Sequence, residues 1–337
     1  GETAEWTNKV ELADIDGDGR VDILFANGGD YDKPGTAVPT RVFRNQAKGK
    51  WPEITAQVFG DATFCARVVK ARDVNADGIV DLFVGTTFQT QSRLFLGKGK
   101  GQFVDATASN LPAMPLSIGD VEFGDYDQDG DLDLVLADWG PGSPMKNEGA
   151  RQRLWRNDGG KFTDVTEQCI PDVKVKFCWE LEFVDVDNDF DIDVINVGKS
   201  SGQQIFFNDG TGHFPTVTTS LLPLGGSLSY EAEAADLDHD GDLDLFVSNM
   251  YSKAGNRIIK LVGEVDPRIK VSARGNFLYE NDNGIFRQVA APDADETRTG
   301  WSFGGQFADF NNDSHLDLYV PCGYYSAPKT VATNLDL

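Results

Sequence analysis

Asp125–Asp133, DYDQDGDLD, followed at once by the apolar run Leu134–Ala137, is the stretch from which the rest of this chain can be read. Carboxylates stand at positions 1, 3, 5 and 9, and with a backbone carbonyl at position 7 they can supply the hard oxygen shell that calcium takes. Five more copies share the spacing: Asp14–Asp22 (DIDGDGRVD), Asp73–Asp81 (DVNADGIVD), Asp185–Asp193 (DVDNDFDID), Asp236–Asp244 (DLDHDGDLD) and Asp309–Asp317 (DFNNDSHLD). Acidic turns scattered for solubility would not keep one spacing six times.

The pattern departs from an EF-hand, whose twelve-residue loop ends in Glu between two helices. Here the ligand set closes at the ninth residue and leads into a short β-branched-rich run such as VDLFVGT or LDLFVSN. These runs read as strands, and their weak alternation predicts burial on both faces. First Asp to first Asp, the steps are 59, 52, 60, 51 and 73 residues, a period typical of repeat arrays. Within each repeat the order is a strand, the acidic turn, the buried strand, and a hairpin such as RLWRNDGGKFTDVT. Asn-Asp-Gly between apolar runs is a strong hairpin signal. Four antiparallel strands per repeat make one propeller blade. The expected fold is therefore all-β: a single β-propeller domain over residues 1–337, with six recognisable repeats and six or seven blades. Too little chain succeeds LDLYVPC to complete the last blade, so that blade is expected to be short or the chain a fragment.

The wording of these repeats resembles the FG-GAP/VCBS family, the calcium-binding blades of integrin-α-type propellers and of many secreted bacterial proteins. "RNDGGKFTDVT" and "DGDLDL" are similar to repeats of ASPIC/UnbV-associated proteins. The resemblance spans about residues 6 to 325 and implies calcium in each turn between first and second strands. Its ligands carry over as Asp14, Asp16, Asp18 and Asp22 with the Arg20 carbonyl, then Asp73, Asn75, Asp77 and Asp81 with Ile79. The third and fourth sets are Asp125, Asp127, Asp129 and Asp133 with Asp131, and Asp185, Asp187, Asp189 and Asp193 with Asp191. The fifth is Asp236, Asp238, Asp240 and Asp244 with Asp242, and the sixth Asp309, Asn311, Asp313 and Asp317 with His315. Position 6, where Gly relieves a tight turn, holds Phe190 in the fourth loop and Ser314 in the sixth. Strain should weaken both, and the sixth site should empty first.

The formal net charge is -24, and six divalent ions would halve it, so much of the acidity is site chemistry. A chain this acidic without a basic stripe is a poor partner for nucleic acid, and no apolar run is long enough to span a membrane as a helix. The four cysteines, Cys65, Cys169, Cys178 and Cys322, suit an oxidising compartment. A local Cys169–Cys178 bridge and a ring-closing Cys65–Cys322 bridge stand against buried thiols, and spacing does not decide between them. Calcium sites of this kind suit millimolar metal, which predicts a secreted, periplasmic or cell-surface location.

Strand parity puts the acidic turns and the hairpin turns at one end of the strands and the variable connections at the other, where binding residues concentrate on rigid scaffolds. Aromatic residues there, Trp139, Trp179, Tyr230, Tyr251 and Trp301, offer flat amphipathic rings to sugar or protein; Tyr31, Tyr324, Tyr325 and the locally basic insert Met250–Gly275 lie at the same end. On the first strands, Glu11, Lys70, Glu122, Glu182, Glu233 and Gln306 precede the motifs by three residues, and Lys9, Val68, Asp120, Glu180, Glu231 and Gly304 by five. In a closed propeller these would line a central channel, expected as Glu–Lys pairs with trapped water, against a converging set that holds a further metal, a cationic ligand or one acid of raised pKa. The function expected is an extracellular calcium-stabilised module that binds protein or carbohydrate. The alternative is a carbohydrate lyase or dehydratase working through Glu180, Glu182, Glu231 and Glu233. No nucleophile elbow, phosphate loop or His-Glu-x-x-His motif is present.

Overall fold

In the computed structural model, residues 5–29, 33–142, 148–176, 178–198, 202–218, 229–249, 275–289 and 302–322 are described. Every acidic motif turns one strand antiparallel onto the next. The first sheet runs Thr7–Ala13, Asp22–Asn27, Arg41–Phe43; the second Ala66–Arg72, Asp81–Thr86, Arg93–Gly97, Phe103–Asp105; the third Ile118–Gly124, Asp133–Asp138, Arg153–Asp158, Lys161–Asp164. The fourth runs Cys178–Val184, Asp193–Gly198, Gly202–Phe207, Thr216–Val217, and the fifth Ser229–Ala235, Asp244–Asn249, Phe277–Glu280, Arg287–Gln288. The sixth has Gln306–Ala308 and Asp317–Tyr319 among the described residues.

Apolar composition explains which strand is central. All residues of Asp81–Thr86, Asp133–Asp138, Asp193–Gly198 and Asp244–Asn249 are buried. Within each unit, neighbouring sheets pack against these strands. Leu24, Val42, Val69, Leu82 and Phe95 form one core. Val68, Phe83, Leu94, Val121, Leu134 and Trp155 form a second, and Ile195, Val197, Ile205, Leu245, Val247 and Tyr279 a third. The hairpin signal is realised at Asp158–Lys161, where Gly159 (φ 59°) and Gly160 (φ 90°) take the two left-handed positions of the turn. A Cβ on Gly160 would lie 2.9 Å from the Cβ of Asn75, so the hairpin of one repeat packs on the acidic loop of the repeat before it. Gly284 meets Asp187 in the same way, also at 2.9 Å.

Among the described residues, three short helices, Thr55–Phe59, Thr107–Asn110 and Thr166–Cys169, were not anticipated. A single turn is too short to show an apolar stripe. Each opens on a buried Thr whose Oγ1 accepts the N–H of a third-strand residue: Val42 at 3.0 Å, Leu94 at 3.0 Å and Leu154 at 2.9 Å.

The expected closed propeller is not what the chain forms. Its sheets are separate, no ladder among the described residues joins one sheet to another into a ring, and the chain divides into two compact units, Gly1–Phe177 and Cys178–Leu337. The repeat sets strand number and order within a sheet, but ring closure depends on how far successive sheets rotate, which no spacing encodes. Val10 and Leu12 on the first sheet are 50% and 63% exposed, and Tyr319 on the sixth is 61% exposed. All four cysteines are present as thiols. Among the described residues, no helix is long and apolar enough to cross a membrane.

Asn157 ties two repeats together: its Nδ2 donates to the carbonyl of Val74 at 2.7 Å and of Leu132 at 3.0 Å, and its Oδ1 accepts the N–H of Gly160 at 2.7 Å. Asn281 makes the equivalent bonds to Val186, Leu243 and Gly284. Asn157→Ala strands buried carbonyls and should cost about 2–3 kcal/mol in denaturant unfolding; a loss below about 0.5 kcal/mol, the low end for one hydrogen bond, would contradict this tie.

Candidate metal centres

The acidic loops share one backbone design. Positions 4 and 6 are left-handed in all six: Gly17, Ala76, Gln128, Asn188, His239 and Asn312, then Gly19, Gly78, Gly130, Phe190, Gly241 and Ser314. Position 6 was legible from its glycines. Position 4 was not, because only the first loop places Gly there. This winding points backbone N–H groups at the first Asp. Asp14 accepts from Gly17 at 2.8 Å, Asp18 at 3.1 Å and Gly19 at 2.7 Å. Asp73 accepts from Gly78 at 2.7 Å, Asp185 from Phe190 at 3.0 Å and Asp309 from Ser314 at 2.8 Å. The Ser314 N–H holds the Asp309 carboxyl below its ordinary range.

Position 5 accepts the N–H of position 7 in every loop, as Asp18 does from Arg20 at 3.0 Å and Asp129 from Asp131 at 2.9 Å. The acidic side chains at position 7 turn instead to the hairpin. Asp131 accepts from Gly159 at 2.8 Å and Asp242 from Asn283 at 2.7 Å, which leaves a carbonyl as the group position 7 can offer an ion.

In the first five loops position 9 is the buried member. Asp133 and Asp193 are fully buried. One oxygen of Asp133 accepts the N–H of Tyr126 at 3.3 Å, and the other that of Asn157 at 2.8 Å. Asp193 accepts from Val186 and Asn208, and Asp22 from Ile15 and Asn45. Burial pushes Asp133 up to about 8 and Asp193 up to about 7, against the pull of those N–H donors. Asp16, Asp127 and Asp187 at position 3 are also raised, first by desolvation and then by the neighbouring carboxylate at position 5.

Carboxylate oxygens converge within 4.8 Å in four loops: Asp14, Asp16 and Asp18; Asp125, Asp127 and Asp133; Asp185, Asp187 and Asp193; and Asp236, Asp238 and Asp240. The second and sixth loops carry Asn75 and Asn311 at position 3 and do not gather three carboxylates among the described residues. Buried Oδ1 atoms of Asp125, Asp127, Asp185 and Asp187 have no hydrogen-bond partner. A buried carboxylate oxygen without a donor is costly, and a hard cation is the group that such an all-oxygen set suits. In the first loop, the Arg20 guanidinium pairs with Asp18 and Arg44 lies 3.6 Å from Asp16, so an ion there displaces two cations.

The charged first-strand residues of the first unit pair with one another, as expected of Glu–Lys pairs at these positions, although no closed channel surrounds them among the described residues. In the first unit they form ion pairs between sheets: Lys9 with Asp120 at 2.7 Å, Lys70 with Glu122, and Arg72 with Glu11 at 2.9 Å. Register shifts at Thr7/Lys9, Cys178/Glu180 and Ser229/Glu231 re-aim the start of these strands. In the second unit Glu180 and Glu182 lie on the fourth sheet, and Glu231 and Glu233 on the fifth. Glu231 accepts the N–H of Gly305 at 3.2 Å, and Glu233 accepts from the Gln306 amide at 2.6 Å. Among the aromatics, Trp139 is 2% exposed, edge-on to Phe88 and under the Arg67 guanidinium, so it packs rather than presents its face. Trp179 is half-buried. The Tyr230 side chain, Tyr31, Tyr251, Trp301, Tyr324, Tyr325 and nearly all of the Met250–Gly275 insert lie outside the described residues.

Because Asp133 and Asp193 bind protons more tightly folded than unfolded, their contribution to the metal-free protein is fully present below about pH 4 and lost as pH rises through about 7–8. Denaturant midpoints of chelated protein should therefore fall across that window, and saturating calcium should remove the fall; a flat profile in chelator contradicts the burial argument. Phe190 holds a left-handed backbone at φ 73° and is 88% exposed. Phe190→Gly should gain about 1 kcal/mol in the same assay, and a loss would show that the ring contributes packing.

Comparison with known proteins places these repeats. A lectin of Agrocybe aegerita, solved for its specific recognition of non-reducing terminal N-acetylglucosamine, is 19% identical over 86% of this chain and 67% of its own, with a TM-score of 0.47. The V. cholerae biofilm matrix protein Bap1 is 15% identical over 74% of this chain and 36% of its own, at 0.44. BBS1N, solved in complex with ARL6DN, is 10% identical over 94% and 89%, at 0.40. Likenesses this distant assign no ligand or activity, and no curated protein sequence matches the chain. The FG-GAP-like repeat matches residues 14–84, 73–136 and 185–247, more than half of the chain and centred on the loops just described. The chain therefore belongs to the FG-GAP-like repeat family.

Proposed function

We propose that the protein is a calcium-stabilised repeat scaffold that binds protein or carbohydrate outside the cell or in the periplasm. The observation that carries the metal half is the set of orphaned buried carboxylate oxygens on Asp125, Asp127, Asp185 and Asp187. Folding buries these oxygens without a hydrogen-bond partner, and a cation would settle that arrangement without protonation. The ion neutralises the turn between the first and second strands and stabilises the fold. It also leaves the opposite strand ends free to vary.

Binding at those opposite ends is supported by Gln152, which is 1% exposed with neither amide atom hydrogen-bonded. It immediately precedes the third strand of the third sheet, whose Arg153 lies 3.5 Å from the Asp138 carboxylate. Hydroxyl or amide groups of a ligand, like ordered water, would satisfy such a side chain.

Calcium at a hundredfold over Kd should stabilise the protein by about 2.7 kcal/mol for each site that binds the folded state alone. Melting curves with calcium and with chelator measure this, and unchanged curves would overturn the structural-metal reading. In calcium, a glycan array and capture of purified surface proteins should yield a ligand whose binding Gln152→Ala weakens at least tenfold without lowering the melting temperature in proportion. Retained binding in that variant would remove this end of the third sheet from the site.

A further inference from the structure

The chain contains three histidines, and two of them face each other across adjacent acidic loops. The rings of His239, at position 4 of the fifth loop, and His315, at position 7 of the sixth, lie with centroids 5.8 Å apart and planes inclined by 38°. Both residues are exposed. Their backbones are fixed from within: the His239 N–H donates to Asp236 at 2.7 Å, and the His315 N–H to Asp313 at 2.9 Å. His239 also has φ 65°, so the loop winding directs where its side chain leaves the backbone. The third histidine, His213, is engaged with Thr211 in its own hairpin turn.

We infer that His239 and His315 form a two-nitrogen clamp for a divalent transition ion such as Zn2+, separate from the calcium-type oxygen sites of the same loops. Zinc–nitrogen bonds of about 2.0–2.1 Å in a tetrahedral shell place two imidazole centroids roughly 5 Å apart. The observed separation needs only a small rotation of exposed rings to meet this. Imidazole nitrogen suits zinc, nickel and copper, whereas calcium takes oxygen, so donor type separates the two kinds of site. Asp238 and Asp240 flank His239, and the strongly acidic surroundings concentrate cations at the clamp. Water completes the shell. One ion held this way links the fifth loop to the sixth.

Isothermal titration of the full chain with Zn2+ in excess calcium tests this, since calcium occupies the all-oxygen loops. One zinc should bind. His239→Asn, which tolerates the left-handed backbone, and His315→Gln should each weaken binding at least tenfold, and the double variant little further, because both remove ligands of a single ion. His213→Gln should leave binding unchanged. Melting in calcium confirms that each variant folds. No zinc binding in calcium, binding indifferent to both substitutions, or a loss confined to one of them would overturn the clamp.

Discussion

The aspartate at the ninth position of each acidic loop, buried in the first five, is the interaction on which the described fold rests. One carboxylate joins three pieces of chain: it sits at the start of the central strand, accepts the N–H at the second loop position, and in the first five repeats accepts an N–H at the end of the third strand. Burying an anion at this point is unfavourable, as the raised carboxyls of Asp133 and Asp193 show. The loop therefore carries an electrostatic demand that protons meet in the absence of metal and that a bound cation would meet at neutral pH.

The remaining features of the repeat depend on this tie. The loop must wind through two left-handed residues to bring its N–H groups to the first Asp, which makes glycine or a tolerated strain a requirement there. The hairpin glycines of the next repeat then approach the third loop position closely enough that a methyl group would not fit. Asn157 and Asn281 convert that approach into hydrogen bonds between repeats. Loop winding, hairpin turn and sheet stacking are thus one coupled arrangement, and a cation in the loop would stabilise contacts well beyond its own ligands.

Charge on the first strands shows how similar positions diverge. In the first unit, Lys9, Lys70 and Arg72 meet Asp120, Glu122 and Glu11 in pairs between sheets. The corresponding positions of the fourth and fifth sheets carry Glu180, Glu182, Glu231 and Glu233 instead. Periodicity located these residues, but their partners come from neighbouring sheets, and Arg72, one residue before its motif, was not singled out from sequence.

The all-β class, the strand order within each repeat, the antiparallel turns and the positions of the acidic loops are all legible in the order of residues. Those features depend on local chemistry: spacing of carboxylates, glycine where φ is positive, and apolar runs that must be buried. Packing in three dimensions was needed to settle that the sheets stay separate rather than closing into the expected ring, that Trp139 is interior, that a left-handed residue recurs at position 4, and that His239 meets His315. Each of these depends on the rotation and approach of segments far apart in the chain, or on a backbone strain supported by neighbouring hydrogen bonds. No local pattern of residue types records such distances.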